Sequence, residues 1–167
     1  YPPSASLAQG NFLWRLSSAR IEKASPFSVF PNHDRVLVIL KGEGMKLMHV
    51  YEEGEPAEVV DLPRLEPYEF PGDIQSKCEL PDGPITDFSV FIKKAESEAQ
   101  VEVRELEEGE SFDWAPEGRW NFAFAIEGTF DYEGGELAEG NTLSLERTLS
   151  DTSPYSTIIY PKTAGSK

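Results

Sequence analysis

Short apolar runs between glycine and proline turns dominate the hydrophobic pattern of this chain. Val36–Leu40 is a run of five apolar residues between the charged pair Asp34-Arg35 and the turn Lys41–Gly44. Such a run is typical of a strand that is buried on both faces. The segment Thr86–Lys93 alternates instead, so one face of a strand there is apolar and the opposite face carries Asp87, Ser89 and Phe91.

The apolar runs, the alternating segments and the turn residues together predict an all-β chain. No amphipathic helix is predicted, because Pro63–Pro67 and Ala95–Ala99 are too short for one. An acidic turn is predicted at Glu52–Pro56. Many short strands with frequent turns favour an antiparallel sandwich or barrel. The further predicted strands are Phe12–Ile21, Leu47–Tyr51, Glu58–Leu62, Tyr68–Phe70, Ser76–Leu80, Gln100–Leu106, Phe112–Trp114, Arg119–Ile126, Thr129–Tyr132, Thr142–Glu146 and Tyr155–Tyr160.

A weak internal repeat suggests a duplicated architecture. Val36–Leu40 followed by Gly42 is similar to Phe122–Ile126 followed by Gly128, and a later glycine turn opens a strand in each half. This rhythm is typical of a cupin barrel. We therefore expect a bicupin, with two jelly-roll (double-stranded β-helix) barrels at residues 1–94 and 95–167 that pack as one compact unit.

Composition narrows the range of partners. The net charge of −15 argues against a nucleic acid and against an anionic membrane surface, since both need clustered Lys and Arg. No apolar run approaches the roughly 20 residues of a membrane span. The single cysteine, Cys78, fits a reducing compartment, so a cytoplasmic protein is expected. The first residue is Tyr1 rather than Met, which suggests a processed or truncated N-terminus.

Several motifs of the first half resemble those of one family. They are Phe12–Ser17 (FLWRLS), Ser25–Pro31 (SPFSVFP), Asp34-Arg35, Phe70–Asp73 (FPGD) and Asp82–Pro84 with Asp87-Phe88. In this order and spacing they resemble the HutD/Ves family. The chain departs from the family pattern at Asn32-His33 and at Ser89, and nothing before Phe12 matches the family's upstream segment.

The resemblance implies a bicupin without the usual cupin metal. It also implies a bacterial cytoplasmic protein that is linked to histidine utilisation or stress response, and that binds a small carboxylate metabolite as a modulator.

Arg15 is the predicted anion clamp. On a strand it shares a face with Leu13 and Ser17, while Phe12, Trp14 and Leu16 form an apolar face that is expected to pack between the sheets. A guanidinium in a partly closed barrel favours a carboxylate ligand, because its planar fork donates two parallel hydrogen bonds. The alternatives are an internal ion pair with Asp34 or Asp87, and plain exposure.

The rest of the predicted ligand site divides by chemistry. Apolar walls or their support are expected from Trp14, Phe27 and Phe30, and polar selectivity from Asp34, Asp87 and Ser89. Ser28 and Arg35 complete the predicted ligand-binding residues. Asp34 and Arg35 are adjacent, so on a strand they point to opposite faces; one can face the lumen while the other locks a loop.

No metal and no other cofactor is predicted. The two histidines, His33 and His49, lack the spacing of a cupin metal site. His33 is predicted to be a loop residue and His49 an ordinary strand residue. No catalytic residue is assigned.

Two other functions stay open at this point. One is a metal-independent isomerase or lyase, in which Asp34 or Asp87 acts as general base. The other is a protein-interaction module with an exposed aromatic patch at Trp114 and Trp120. Whether two copies form a homodimer is also open.

Overall fold

A computed structural model of the chain describes residues 1–51, 57–148 and 156–162. The chain divides into two compact units, Tyr1–Val103 and Arg104–Lys167. Residues 95–103 thus belong to the first unit, and the packing of two barrels as one body stays a prediction. Within the described ranges, no helix is long and apolar enough to cross a membrane.

The first unit is a jelly roll. A 3₁₀ turn, Leu7–Gln9, precedes its strands. The strands are β1 Trp14–Ile21, β2 Ser25–Pro26, β3 His33–Lys41, β4 Met45–Val50, β5 Glu58–Leu62, β6 Tyr68–Pro71, β7 Gln75–Glu79 and β8 Ile85–Lys93. They pair first with eighth, second with seventh, third with sixth and fourth with fifth, all antiparallel. The two sheets have the strand orders β1-β8-β3-β6 and β2-β7-β4-β5.

The second unit has two smaller sheets among its described residues, with strand orders β12-β11-β14-β9 and β10-β13. Its inner positions include Ala125, Leu137 and Ile159, which are buried. The strands are β9 Phe112–Trp114, β10 Trp120–Phe124, β11 Phe130–Tyr132, β12 Gly135–Leu137, β13 Thr142–Glu146 and β14 Thr157–Pro161.

The all-β prediction is confirmed, with local differences. The predicted strand Gln100–Leu106 is wrong, because this alternating segment finds no partner strand and stays irregular. The two-residue β2 and the short β12 were not predicted, since a proline and a glycine pair read as turns. The predicted turn Glu52–Pro56 and the residue Tyr155 lie outside the described residues.

The main core fills the space between the two sheets of the first unit. Leu37 and Ile39 from β3 meet Leu47 from β4 there. The opposite face of β3 and β8 is also covered: Val36, Val90 and Ile92 pack with the half-buried Leu16 and Val101. The five-residue run Val36–Leu40 is therefore buried on both faces, as predicted.

Candidate functional site

Three neighbouring strands place two arginines and an aromatic ring in one row across the lumen face. In the order β1-β8-β3, Arg15 stands opposite Phe91, and Phe91 stands opposite Arg35. Directly opposite residues of antiparallel strands point to the same side of a sheet. The guanidinium carbons of Arg15 and Arg35 lie 5.4 and 4.9 Å from the centroid of the Phe91 ring.

Arg35 anchors a buried polar network. Its Nη2 donates to Ser89 Oγ at 2.8 Å and to Asp87 Oδ2 at 3.4 Å, and its Nε donates to Ser89 Oγ at 3.2 Å. Asp87 also accepts a hydrogen bond from the backbone N–H of Ala19, at 3.1 Å. Because Asp87 and Ser89 are two residues apart on β8, they share the face that meets Arg35.

Burial sets the electrostatics of this pair. The side chains of Arg35 and Asp87 are only 7% and 4% exposed. Desolvation lowers the pKa of Arg35 to about 10, against the opposing effect of Asp87, and the nearby positive charge of Arg15 lowers it further. Desolvation likewise raises the pKa of Asp87, although Arg35, the Ala19 N–H and Ser89 all favour its ionised form.

Aromatic rings enclose the Arg35 guanidinium. Its carbon lies 4.3 Å from the centroid of Phe27 and 5.6 Å from that of Phe70, in addition to the Phe91 contact. A planar guanidinium that is weakly hydrated suits such stacking, and each cation–π contact is worth about 0.5–2 kcal/mol. The rings hold the fork of Arg35 in a fixed orientation.

Arg15 differs from Arg35 in having no ion-pair partner among the described residues. The expected internal alternatives do not form: Asp87 pairs with Arg35, and Asp34 lies 3.5 Å from Lys94 Nζ. Arg15 is only half-buried, so the row opens to solvent on the side of β1. Two guanidiniums therefore face the lumen on either side of Phe91, and the buried carboxylate of Asp87 pairs with one of them, Arg35.

A loop that carries the family-like motifs positions the aromatic walls. The backbone N–H of Phe27 donates to Ser76 O, and that of Phe30 donates to Gly72 O, both at 2.8 Å. Phe30 then lies against Phe91, with ring centroids 4.5 Å apart. The turn at Gly72 is thus a structural support for the rings around the site.

Gly72 makes this close approach feasible, because a Cβ there would lie 2.8 Å from His33 O and 3.0 Å from Phe30 O. We expect Gly72→Ala to lower the free energy of unfolding by about 1–3 kcal/mol, since backbone atoms must shift. Chemical denaturation checks this. Gly118→Ala is the matched control, because the atom nearest to its Cβ belongs to the side chain of Asn121, which can move. Equal stability losses in the two variants would contradict the role of Gly72.

Not every predicted site residue faces the lumen. Phe27, Phe30, Arg35, Asp87 and Ser89 join Arg15 around the row, whereas the other three do not. Trp14 lies on the opposite face of β1 and stacks on Tyr1, with ring centroids 5.7 Å apart. Ser28 is exposed on the loop. Asp34 points away from Arg35 and forms a surface cluster with Lys94 and Asp73, so it is the loop-locking member of the pair.

The face assignment of β1 needs a correction. Trp14 and Leu16 were expected between the sheets, yet the face between the sheets is the one that carries Arg15. Leu16 packs instead on the outer cluster with Val36, Val90 and Val101. The irregular segment that contains Val101 supplies this second layer, and local alternation gave no sign of it.

A second polar group in the lumen was not predicted. His49 is fully buried; its Nδ1 lies 2.7 Å from Ser76 Oγ, and its Nε2 lies 3.2 Å from Tyr68 Oη. Ser76 also donates to Ile74 O. A neutral ring that donates from Nδ1 and accepts the Tyr68 O–H at Nε2 satisfies every group. The alternation of Met45, Leu47 and His49 on β4 was the available signal for its orientation.

Burial lowers the pKa of His49 below its ordinary value of 6.5, and nearby Glu58 opposes this only in part. The unfolded chain therefore binds this proton more readily than the folded chain. We expect stability to fall as the pH drops below about 6.5, and His49→Gln to remove part of that slope. Urea unfolding of both proteins between neutral and mildly acidic pH measures it. Parallel pH profiles would contradict the assignment.

His33 begins β3 and is buried, so its prediction as a loop residue is wrong. Its Nδ1 lies 2.8 Å from Pro31 O, and its Nε2 lies 3.0 Å from Phe12 O. The ring thus ties the loop to the chain before β1. In the part of the chain that the structure describes, no three His, Cys, Asp or Glu side chains converge to hold a metal ion.

Trp114 and Trp120 are half-buried rather than exposed. The large exposed apolar side chains described in the second unit are Ile158 and Tyr160, both on β14. The predicted aromatic patch is therefore wrong.

Comparison with known proteins gives a consistent family. The sequence matches the HutD family profile over residues 1–156. It is 38% identical over 80 residues to an uncharacterised 21.2 kDa protein in the hutC 3′ region of Pseudomonas putida, which covers 48% of this chain and 40% of that protein. It is also 34% identical over 104 residues to protein Ves of Cronobacter sakazakii. That alignment covers 62% of this chain and 52% of protein Ves. The chain thus spans about half the length of these curated relatives.

A solved structure agrees with the sequence matches. HutD from Pseudomonas fluorescens SBW25, determined in a formate condition, superimposes with a TM-score of 0.75 at 25% identity, covering 94% of this chain and 79% of that one. This likeness agrees with the all-β chain and the antiparallel jelly roll described above, both of which were predicted from the sequence. Since the family profile covers nearly the whole sequence, the chain belongs to the HutD family.

Proposed function

We propose that this protein binds a small carboxylate metabolite in the lumen of its first unit, without a metal, and thereby modulates histidine utilisation or a stress response. The observation that carries the proposal is the imbalance of charge in the row: Arg15 and Arg35 face the lumen, and the buried carboxylate of Asp87 pairs with Arg35 alone. An anion supplies the missing negative charge.

The ligand is expected to meet Arg15 first, because Arg15 is half-buried while Arg35 is 6% exposed. Its carboxylate accepts two parallel hydrogen bonds from the Arg15 fork and lies within the field of Arg35. The face of Phe91 between the arginines excludes water on one side. Such a contact supports roughly micromolar to millimolar affinity.

The comparisons support the biological setting of this proposal. The Pseudomonas putida relative is encoded in the hutC 3′ region, and the Pseudomonas fluorescens HutD structure comes from a formate condition, formate being the smallest carboxylate. We also propose that the second unit is a further cupin-like barrel, on the basis of its short antiparallel sheets.

A thermal-shift screen tests the proposed function. The purified protein is heated with formate, acetate, glutamate, formylglutamate and urocanate, each with and without a chelator. A ligand that binds only the native state raises the melting temperature. We expect at least one acid to give a shift that the chelator leaves unchanged. No shift with any acid at millimolar concentration would overturn the proposal.

One observation favours a second candidate, a metal-independent isomerase or lyase. The buried Asp87 has a raised pKa, as a general base requires. However, its two oxygens already accept hydrogen bonds from Ala19, Arg35 and Ser89. Turnover of a carboxylate that Asp87→Asn abolishes would establish the enzyme; binding without turnover would support the first proposal.

A further inference from the structure

We propose that Asp87 restricts the Arg15–Arg35 site to ligands with a single negative charge. The inference rests on the proposed function and adds a rule of specificity: monocarboxylates bind, whereas dicarboxylates and other dianions of the same size are rejected.

Asp87 is fixed in place by its hydrogen bonds on both sides of β8. One carboxylate oxygen accepts the N–H of Ala19 from β1 at 3.1 Å. The other lies 3.4 Å from Arg35 Nη2 on β3 and 3.5 Å from Ser89 Oγ. Because two neighbouring strands hold it, Asp87 cannot turn away when an anion enters. Its negative charge therefore stays beside Arg35, the guanidinium that the proposed ligand faces from the side of Arg15.

The charge count of the row follows from this geometry. Arg35 and Asp87 are the buried ionic side chains among the described residues of the first unit, and Arg15 adds a second positive charge at its open side. One monoanion makes the row neutral. A dianion leaves the row with one uncompensated negative charge around the buried Arg35–Asp87 pair, and an uncompensated charge in a desolvated site is unfavourable.

Three described lysines of the first unit pair with carboxylates outside the row: Lys46 pairs with Asp61, Lys93 with Glu96, and Lys94 with Asp34 and Asp73. On β1, Ser17 stands opposite Ser89, and His49 with Tyr68 lies beyond Phe70. The His49 ring contacts Phe70 at 4.9 Å and is satisfied by Ser76 and Tyr68 as a neutral group.

Oxamate and oxalate test the rule, because they have nearly the same size and differ by one charge at neutral pH. Calorimetric titration in the presence of a chelator gives the affinity of each for the full chain. We expect wild-type protein to bind oxamate about tenfold or more tightly than oxalate. In Asp87→Asn, which keeps the side-chain shape, we expect the ratio to move towards oxalate by about tenfold.

Asp61→Asn is the matched control. It removes the same charge from an exposed ion pair on the other sheet, and should leave the ratio unchanged. If Asp87→Asn does not fold, the ratio of oxamate to oxalate affinity in the wild-type protein still tests the selectivity by itself. Equal affinity for oxamate and oxalate, or an unchanged ratio in folded Asp87→Asn, overturns the selectivity while leaving the proposed carboxylate site intact. Binding of neither oxamate nor oxalate overturns the selectivity, and the carboxylate site itself falls only if the thermal-shift screen also fails.

Discussion

Arg35→Met is expected to lower the free energy of unfolding by roughly 3–5 kcal/mol. Arg35 is the partner of the buried Asp87, and removing it leaves a desolvated carboxylate that keeps its neutral donors, Ala19 and Ser89 among them, but has lost its positive partner. Methionine preserves the aliphatic length and much of the contact with Phe27 and Phe70, so the loss reports mainly on charge.

Urea denaturation measures this cost, and a second substitution isolates its cause. Adding Asp87→Asn to Arg35→Met removes the stranded charge, and should restore a large part of the lost stability. Arg20→Met is the control, because the Arg20–Glu22 pair on the same unit is exposed and should contribute little. The electrostatic account fails if Arg35→Met costs no more than Arg20→Met, or if Asp87→Asn brings no recovery.

Arg15→Gln is expected to weaken carboxylate binding about tenfold or more while leaving the protein folded. Arg15 has no ion-pair partner among the described residues, so its removal strands no buried charge. It also relieves repulsion on Arg35, whose pKa the charge of Arg15 lowers. The substitution should therefore change stability by no more than about 0.5 kcal/mol.

The measurement is a calorimetric titration with the acid that gives the largest thermal shift. Arg20→Gln provides a matched control, since Arg20 lies on β1 but projects to the opposite face from Arg15. An undiminished affinity in folded Arg15→Gln would remove Arg15 from the site. A parallel loss in Arg20→Gln would indicate a general effect of surface charge rather than a contact.

Local pattern was sufficient for much of the architecture. The apolar run Val36–Leu40 indicates burial on both faces of β3, and the alternation of Thr86–Lys93 shows which side chains share a face of β8. The opposite orientations of Asp34 and Arg35 follow from the same rule. These are properties of one strand at a time, and the sequence carries them directly.

The partners of those side chains depend on which strands become neighbours. In this jelly roll β8 lies between β1 and β3, which are far from it along the chain. The pattern of each strand therefore left Arg15 and Asp87 facing either the lumen or solvent, and it could not show that Asp87 pairs with Arg35 rather than with Arg15. The partners of His49 were hidden for the same reason, since Ser76 and Tyr68 come from two other strands.

Alternation also misled where no neighbour exists. Gln100–Leu106 has the pattern of a strand, yet it pairs with no sheet edge among the described residues, and Val101 covers the outer face of the first sheet instead. Leu16 packs with this covering layer on the outside of the barrel, and Trp14 stacks there on Tyr1. The pattern of one segment shows which of its side chains share a face. It does not show which other segment packs against that face.

The most direct test of the carboxylate site is a crystal structure of the protein with the acid that gives the largest thermal shift. The charge arrangement predicts density for its carboxylate within hydrogen-bond distance of Arg15, beside Phe91 and facing Arg35. Density for the acid at another place, with the lumen around Arg15 and Arg35 unchanged, would contradict the central claim.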